Sequence, residues 1–183
     1  QAEPDALFTL FSASKSVTAM LLHLYEERGI INLDRPVSEY IPEFSRHGKG
    51  WITPRHILTH RAGIQAVPGG KIDLDLIDDW DAIVELFCNM KPEPIASRKL
   101  AYHALTGGFI VAEVVRRVTG KDIRQALQEE VLTPLGMSHL NYGVGKADRK
   151  KLAENVFTGP PPIPPISWML RRALGSSIKG VSE

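Results

Sequence analysis

The stretch Phe11-Ser12-Ala13-Ser14-Lys15-Ser16-Val17-Thr18-Ala19-Met20 places a Ser-x-x-Lys motif, formed by Ser12 and Lys15, where a helix is predicted to begin. Residues three apart on a helix project from the same face, so the two side chains are expected to lie together. A serine hydroxyl is a weak nucleophile that needs a neighbouring base. A lysine can act as that base where its charged form is disfavoured, as at the positive end of a helix dipole. The motif therefore predicts a nucleophilic Ser12 assisted by Lys15.

The motif by itself is not specific, because Ser176-Ser177-Ile178-Lys179 repeats it without an apolar helix behind it. A serine N-cap followed by a solvated lysine is the commoner interpretation of such a tetrapeptide. The context around Ser12 favours the catalytic interpretation. An apolar extended segment, residues 6–11, precedes the motif, and a helix ended by Gly29 follows it. The core face of that helix is predicted from apolar side chains at helical spacing: Val17, Met20, Leu21, Leu24 and Tyr25.

Further helices are predicted from apolar periodicity and from residues that favour helix ends. Thr53 is a typical N-cap, and Pro54 a typical first residue, for a short helix over residues 55–59. Asp122 is the expected N-cap of a later helix that Pro134 would end. The remaining helices are expected over residues 74–90, over a stripe from Ile110 to Val118 closed by Gly120, and over the polar residues 146–155.

Four sequence segments resemble, in family order, parts of the superfamily of class C β-lactamases, DD-peptidases and family VIII esterases. They are the nucleophile segment over residues 11–19, the following loop over 33–42, a short helix with a Thr-His-x-x-Gly turn over 52–64, and a Pro-Leu-Gly-Met turn over 134–137. Together these matches span most of the chain between residues 7 and 140. The resemblance implies an α+β fold of the β-lactamase/transpeptidase type.

The same family carries a second catalytic element, Tyr-x-Asn, just before a helix, and Tyr102-His103-Ala104 stands at that place. The resemblance implies that Tyr102 accepts or passes on the proton, with its phenolate stabilised by a nearby lysine. It also implies that His103 and Ala104 line the substrate pocket. Ala104 replaces the asparagine that helps to hold a substrate amide, which favours the esterase-like branch. Without the resemblance, Tyr102 would be interpreted as a half-buried tyrosine that anchors a loop.

The third element of the family, a Lys-Thr-Gly-like or His-x-Gly-like strand, does not occur in these residues. That strand supplies a backbone N–H of the oxyanion hole, and losing one such donor typically costs on the order of 10²–10³ in rate. Residues 1–183 are therefore expected to be a partial domain. It would hold mostly the helical part of the fold and lack both its N-terminal start and most of its antiparallel sheet.

Composition and charge exclude several other classes of protein. The 22 Lys and Arg residues are interspersed with 21 Asp and Glu residues, which argues against nucleic-acid binding. No apolar run approaches the roughly 18 residues that span a bilayer. Cys88 is the single cysteine, so it predicts a buried, inert thiol and no disulfide. His56 and His60 have the spacing of zinc ligands, but the glutamate of His-Glu-x-x-His is absent, and no metal or cofactor is predicted.

The predicted function is hydrolysis of a small ester through an acyl-enzyme on Ser12, with an amide or a β-lactam as the other substrates considered. A non-catalytic scaffold or binding protein of the same fold is the alternative, motivated by Ala104 and by the absent third element. The chain opens without Met and without a signal peptide, which leaves the compartment undecided with the cytoplasm slightly preferred. The sequence does not determine the oligomeric state.

Overall fold

The computed structural model of the chain describes residues 3–65, 79–93 and 100–156. The described part is built mainly from helices: α1 (Ser14–Glu27), α2 (Pro54–Leu58), α3 (Trp80–Cys88), α4 (Thr106–Thr119), α5 (Ile123–Leu127) and α6 (Thr133–Leu135). Short 3-10 helices lie at Phe11–Ala13, Val37–Glu39, Pro42–Gly48 and Lys146–Lys151. The second Ser-x-x-Lys motif lies outside the described residues. None of the described helices has the length and apolarity that crossing a membrane requires.

The first predicted helix is confirmed as α1. Its buried face carries Leu21, Leu22 and Tyr25, which are spaced so that they meet the core on one side of the helix. Gly29 follows the helix with a φ of +70°, a left-handed conformation that glycine adopts without steric cost. The 3-10 turn Phe11–Ala13 before α1 presents Ser12 at the surface, and Lys15 in the first turn of α1 is half-buried.

Helix α2 begins as predicted at the Thr53-Pro54 pair. The Thr53 side chain accepts a hydrogen bond of 3.2 Å from the backbone N–H of His56, and the Nδ1 atom of His56 accepts one of 3.2 Å from the N–H of Thr53. This reciprocal cap satisfies two amide groups that have no partner inside the helix. The helix ends at Leu58, one residue before the predicted end, and the chain then turns toward the site.

Helices α3 and α4 pack against each other. Helix α3 begins at Trp80, because Asp79 has an extended backbone and its side chain caps the helix by accepting a hydrogen bond of 3.0 Å from the N–H of Ala82. The prediction of one continuous helix from residue 74 is therefore wrong. Helix α4 is longer than its apolar stripe predicted, because it starts at Thr106. Gly120 ends it in a left-handed conformation, as predicted, with a φ of +71°. The buried face of α4 carries the predicted stripe: Ile110, Val111, Val114 and Val115.

The prediction that Pro134 ends the helix after Asp122 is wrong. Asp122 caps α5 as expected, but the chain continues through a π-helical turn, Gln128–Leu132, into α6 and ends at Gly136. Proline lacks an N–H, and its ring collides with the carbonyl four residues earlier in a regular α-helix. The wider π turn before Pro134 relieves that collision, and Gly136 takes a φ of +65° to end the helix.

The described residues contain one β pairing, an isolated parallel bridge between Leu7 and Leu152. The N–H of Leu7 donates to the carbonyl of Lys151 at 2.8 Å, and the N–H of Ala153 donates to the carbonyl of Leu7 at 2.8 Å. The predicted extended segment before Ser12 is thus extended at Leu7. The predicted helix over residues 146–155 is a shorter 3-10 helix, because the chain straightens at Leu152 to make this bridge.

Lys49 is fully buried, although its side chain is charged in water. Its Nζ atom donates to the backbone carbonyls of Arg46 at 3.0 Å, Cys88 at 2.6 Å and Met90 at 2.6 Å. Burial lowers the pKa of Lys49 to about 8. The three bonds tie the Pro42–Gly48 segment to the end of α3. Cys88 is a buried free thiol, as predicted, and burial raises its pKa to about 11.

Glu113 is the buried acid of the core and joins α3 to α4. Its carboxylate accepts hydrogen bonds from Trp80 Nε1 at 2.7 Å, Arg116 Nε at 2.6 Å and Arg117 Nε at 2.6 Å. Burial raises the pKa of Glu113, but these bonds outweigh it and leave the pKa below its usual value. The network holds the start of α3 against α4, and α4 in turn carries the loop with Tyr102 at its N-terminal end.

Candidate active site

The structure brings the three residues predicted to be catalytic into one cluster. Ser12 is exposed in the 3-10 turn that leads into α1, and Lys15 lies one turn further along. Tyr102 comes from the loop before α4, and its hydroxyl donates a hydrogen bond to Ser12 Oγ. Lys15 Nζ lies 3.4 Å from the same oxygen and donates to it. Ser12 Oγ is therefore in contact with two groups that can exchange a proton with it.

The backbone just before the candidate nucleophile is in an unfavourable conformation. Phe11 has a φ of +47°, in the left-handed region that residues with a side chain rarely adopt. Its carbonyl accepts a hydrogen bond of 2.6 Å from Ser14 Oγ, which helps to hold the turn. The Phe11 ring is 68% exposed, so packing of the ring does not compensate the conformation. Such conformations cluster at functional sites.

The electrostatic environment of Tyr102 favours its ionised form. Burial raises the pKa of the phenol, but hydrogen bonds with Ser12 and Lys15 and the positive charge of Lys15 bring it below its usual value. Lys15 Nζ lies 5.1 Å from the centroid of the Tyr102 ring. The phenol is consequently easier to deprotonate than a tyrosine in water, as a proton acceptor for Ser12 requires.

The loop that carries Tyr102 is bound to His60, in the turn after α2. The N–H of Ala101 donates to the His60 carbonyl at 3.0 Å, and the N–H of His103 donates to His60 Nδ1 at 3.2 Å. The His60 ring packs edge-on against the Tyr102 ring, with 4.8 Å between centroids. The sequence alone suggested His60 only as a zinc ligand, and its one other signal was its place in the Thr-His-x-x-Gly turn.

His103, the residue after Tyr102 in this loop, is buried, with only 1% of its surface exposed. Its Nε2 atom accepts a hydrogen bond of 3.2 Å from the N–H of Ile64, and its ring stacks on that of His60. Burial, together with repulsion from His60, lowers the pKa of His103 to about 4, so the ring is neutral at neutral pH. Ala104 is half-buried and offers a methyl group only. Substrate contact by His103 and Ala104 stays a prediction.

The two histidines with zinc-ligand spacing both use ring nitrogens in bonds to the protein. His56 Nδ1 accepts from the N–H of Thr53, and His60 Nδ1 accepts from that of His103. Within residues 3–65, 79–93 and 100–156, no three His, Cys, Asp or Glu side chains are grouped as metal ligands. Nothing in this part of the chain favours a zinc site at His56 and His60.

A cavity of about 280 Å³ lies behind the 3-10 turn. Phe11, Ser14, Val17 and Tyr142 are among the residues that line it, and the Tyr142 hydroxyl is hydrogen-bonded to that of Thr18 at 2.8 Å. None of the three clustered residues lines this cavity. Ser14 lies two positions from Ser12 and so faces a different side of the helix start, which separates the cavity from the cluster.

The chain is similar to members of a known protein family. A profile of the family described as Beta-lactamase matches residues 1–178. Esterase/beta-lactamase LipL of Mycobacterium tuberculosis is 37% identical over 144 residues, which are 79% of this chain and 33% of that protein. A solved penicillin-binding protein homolog from Caulobacter crescentus has a TM-score of 0.79 at 32% identity, covering 87% of this chain and 43% of that one. A solved family VIII carboxylesterase has a TM-score of 0.78 at 29% identity, covering 84% and 42%.

The solved relatives have the β-lactamase/transpeptidase fold, which confirms the predicted fold class. The chain belongs to the Beta-lactamase family. Two of its relatives are named as an esterase/β-lactamase and a family VIII carboxylesterase. The chain spans 33% of the length of LipL. That residues 1–183 form a partial domain stays a prediction.

Proposed function

We propose that this protein is a serine hydrolase that cleaves esters through an acyl-enzyme on Ser12. The observation that carries the proposal is the double hydrogen bond to Ser12 Oγ, from the Tyr102 hydroxyl and from Lys15 Nζ. A serine in contact with two proton-exchanging groups is the arrangement that nucleophilic catalysis requires. Although burial raises the pKa of Tyr102, the hydrogen bonds with Ser12 and Lys15 and the charge of Lys15 lower it by more, which adds support because a phenolate beside Ser12 accepts its proton readily.

The reaction follows from these contacts in two halves. Ser12 gives its proton to the Tyr102–Lys15 pair while Oγ bonds to the ester carbonyl carbon, and the carbonyl electrons move onto its oxygen. When the carbonyl re-forms, the bond to the alcohol oxygen breaks and the pair returns the proton to the alcohol. Water then repeats the sequence against the acyl group, giving its proton to the pair, and Ser12 leaves reprotonated. The positive end of α1 lies beside the developing oxyanion and stabilises it.

An ester is the substrate class that the site favours over an amide or a β-lactam. The resemblance places an amide-holding asparagine where this chain has Ala104, and a methyl group makes no hydrogen bond to a substrate amide. An ester has no N–H that needs a hydrogen-bond partner, so an ester substrate loses less binding than an amide where alanine replaces the asparagine. The names of two relatives, an esterase/β-lactamase and a family VIII carboxylesterase, agree with this choice.

The test is covalent labelling of the purified chain with a fluorophosphonate, read by intact mass, beside turnover of a p-nitrophenyl ester. Ser12→Ala is the diagnostic variant, and Ser16→Ala is the matched control because Ser16 is an exposed serine four residues further along, in α1. One adduct on the wild type and on the Ser16→Ala variant, absent from the Ser12→Ala variant, is expected. Labelling that survives Ser12→Ala would show that another residue is the nucleophile and would overturn the proposal. No labelling of a folded wild-type chain would favour the non-catalytic scaffold.

A further inference from the structure

We propose that His60 is a positioning residue that holds Tyr102 against Ser12. The inference rests on the proposed function and deepens it, because it names a residue on which proton transfer at Ser12 depends. His60 contacts the residue before Tyr102, the residue after it, and the Tyr102 ring itself. Because His60 contacts both neighbouring residues and the ring, the Tyr102 side chain has little freedom to move away from Ser12.

The three contacts act on different parts of the loop. The His60 carbonyl accepts the N–H of Ala101 at 3.0 Å, and its Nδ1 accepts the N–H of His103 at 3.2 Å, so the backbone on either side of Tyr102 is fixed. The His60 ring packs edge-on against the Tyr102 ring, with 4.8 Å between the ring centroids, and this contact fixes the direction of the phenol. Displacing a reacting group by about 1 Å can cost on the order of 10² in rate.

His60 itself is held in a conformation that residues with a side chain rarely adopt, with a φ of +59°. Its Nδ1 accepts a bond, so the neutral ring carries its proton on Nε2. Asparagine tolerates the left-handed region, and its side-chain oxygen can take the place of Nδ1 as acceptor. His60→Asn therefore keeps the backbone contacts and loses only the ring, whereas His60→Ala loses both the ring and the acceptor.

The decisive experiment is a double-mutant cycle between His60 and Tyr102. The rate constant for labelling of Ser12 by a fluorophosphonate is measured for the wild type, His60→Ala, Tyr102→Phe and the double variant. We expect His60→Ala to slow labelling by about 10-fold to 100-fold when Tyr102 is present. In the Tyr102→Phe background we expect no further loss, because the group that His60 positions is already absent. Equal losses in both backgrounds would overturn the proposal, since they would mean a general structural role.

His60→Asn gives the conservative rescue, and we expect it to keep most of the labelling rate that His60→Ala loses. His47 gives the matched control, because it is an exposed histidine with a φ of +58° outside the site. His47→Ala has the same kind of backbone change and is expected to leave labelling unchanged. A His60→Asn variant that is folded but as slow as His60→Ala would contradict a role for the Nδ1 contact.

A second readout separates failure of this inference from failure of the proposed function. The ionisation of Tyr102 is followed by ultraviolet absorbance, as the difference between each protein and its Tyr102→Phe counterpart. His60→Ala is expected to move this ionisation to higher pH, because the phenol is no longer held close to the positive charge of Lys15. An unlabelled wild type would refute the proposed function while this shift still supports the positioning role. An unchanged Tyr102 ionisation in the His60→Ala variant would refute the positioning role.

Discussion

The Tyr102 hydroxyl donates a hydrogen bond to Ser12 Oγ across 90 residues of sequence. Lys15 Nζ reaches the same oxygen from within α1. One bond is thus local to a helix turn, and the other depends on how the loop before α4 is placed. The contribution of each hydrogen bond is testable by changing one partner of Ser12 at a time.

Tyr102→Phe removes the phenol hydroxyl and keeps the ring that packs on His60. We expect kcat/KM for a p-nitrophenyl ester to fall by about 10²-fold to 10⁴-fold, the usual contribution of a proton-transfer group. Because the hydrogen bond that is lost is exposed to solvent, the unfolding midpoint in urea should change little.

Tyr40→Phe is the control for that prediction. The Tyr40 hydroxyl accepts the Asn32 N–H at 2.8 Å and donates to the Asn32 carbonyl at 3.2 Å, away from the site. Its loss is expected to lower stability and leave kcat/KM unchanged. A Tyr102→Phe variant with wild-type kcat/KM would remove Tyr102 from the mechanism.

Lys15→Met is expected to shift the ionisation of Tyr102 to higher pH. Burial raises the pKa of Tyr102, and the bonds with Ser12 and Lys15 and the charge of Lys15 lower it by more, so removing Lys15 takes away a lowering influence. If the phenolate is the form that accepts the proton, ester turnover by the wild type rises with pH through this pKa and then levels off.

The measurement is absorbance titration of each protein against its Tyr102→Phe counterpart, with the turnover profile beside it. Lys150→Met is the matched control, since Lys150 is an exposed lysine in the Lys146–Lys151 helix, on another element. An unmoved Tyr102 ionisation in the Lys15→Met protein would show that Lys15 does not stabilise the phenolate.

Phe11→Gly is expected to stabilise the chain relative to Phe11→Ala. Both changes remove the exposed ring, but only glycine adopts the observed φ of +47° without steric cost. The left-handed conformation costs a residue with a Cβ about 1–2 kcal/mol, so the free energies of unfolding should differ by about 1 kcal/mol in favour of glycine. Urea unfolding followed by circular dichroism measures the difference.

The same pair of substitutions at Phe8 should give the opposite order. Phe8 is also exposed, at 64%, and its backbone is not among those with positive φ. Glycine there only adds conformational freedom to the unfolded chain, so alanine should be the more stable variant. If alanine were the more stable variant at Phe11 as well as at Phe8, a left-handed Phe11 would be contradicted.

Glu113→Gln is expected to lower the free energy of unfolding by about 1–3 kcal/mol at neutral pH. The buried carboxylate accepts bonds from Trp80, Arg116 and Arg117, and a glutamine amide turns one acceptor into a donor. The folded-state pKa of Glu113 is lowered, so its contribution is fully present above the usual carboxyl pKa of 4.5 and is lost as the pH falls through the folded value.

Urea unfolding at several pH values between neutral and acidic conditions tests this. The wild type should lose its advantage over the Glu113→Gln variant as the pH falls. Glu129→Gln is the control, because Glu129 makes an exposed ion pair with Lys121 and such pairs contribute little. A wild-type advantage that does not vary with pH would mean that packing rather than charge explains the effect.

Much of the helical framework was predictable because its signals lie within single segments. The apolar spacing of α1, the Thr53-Pro54 cap of α2 and the Gly120 end of α4 each follow from hydrogen bonding and packing over a few residues. The end of α6 was not, since it depends on a π turn that accommodates Pro134. No local pattern distinguishes that turn from an ordinary helix end.

The sequence by itself determined that Ser12 and Lys15 share a helix face, because three residues make nearly one helical turn. Only the tertiary structure decided that Tyr102 meets them and that His60 holds the Tyr102 loop, because those contacts join residues far apart in the chain. The burial of Lys49 and Glu113 was decided in the same way. A charged residue in a sequence is expected at the surface, and only the packing of several elements around it supplies the partners that keep it buried.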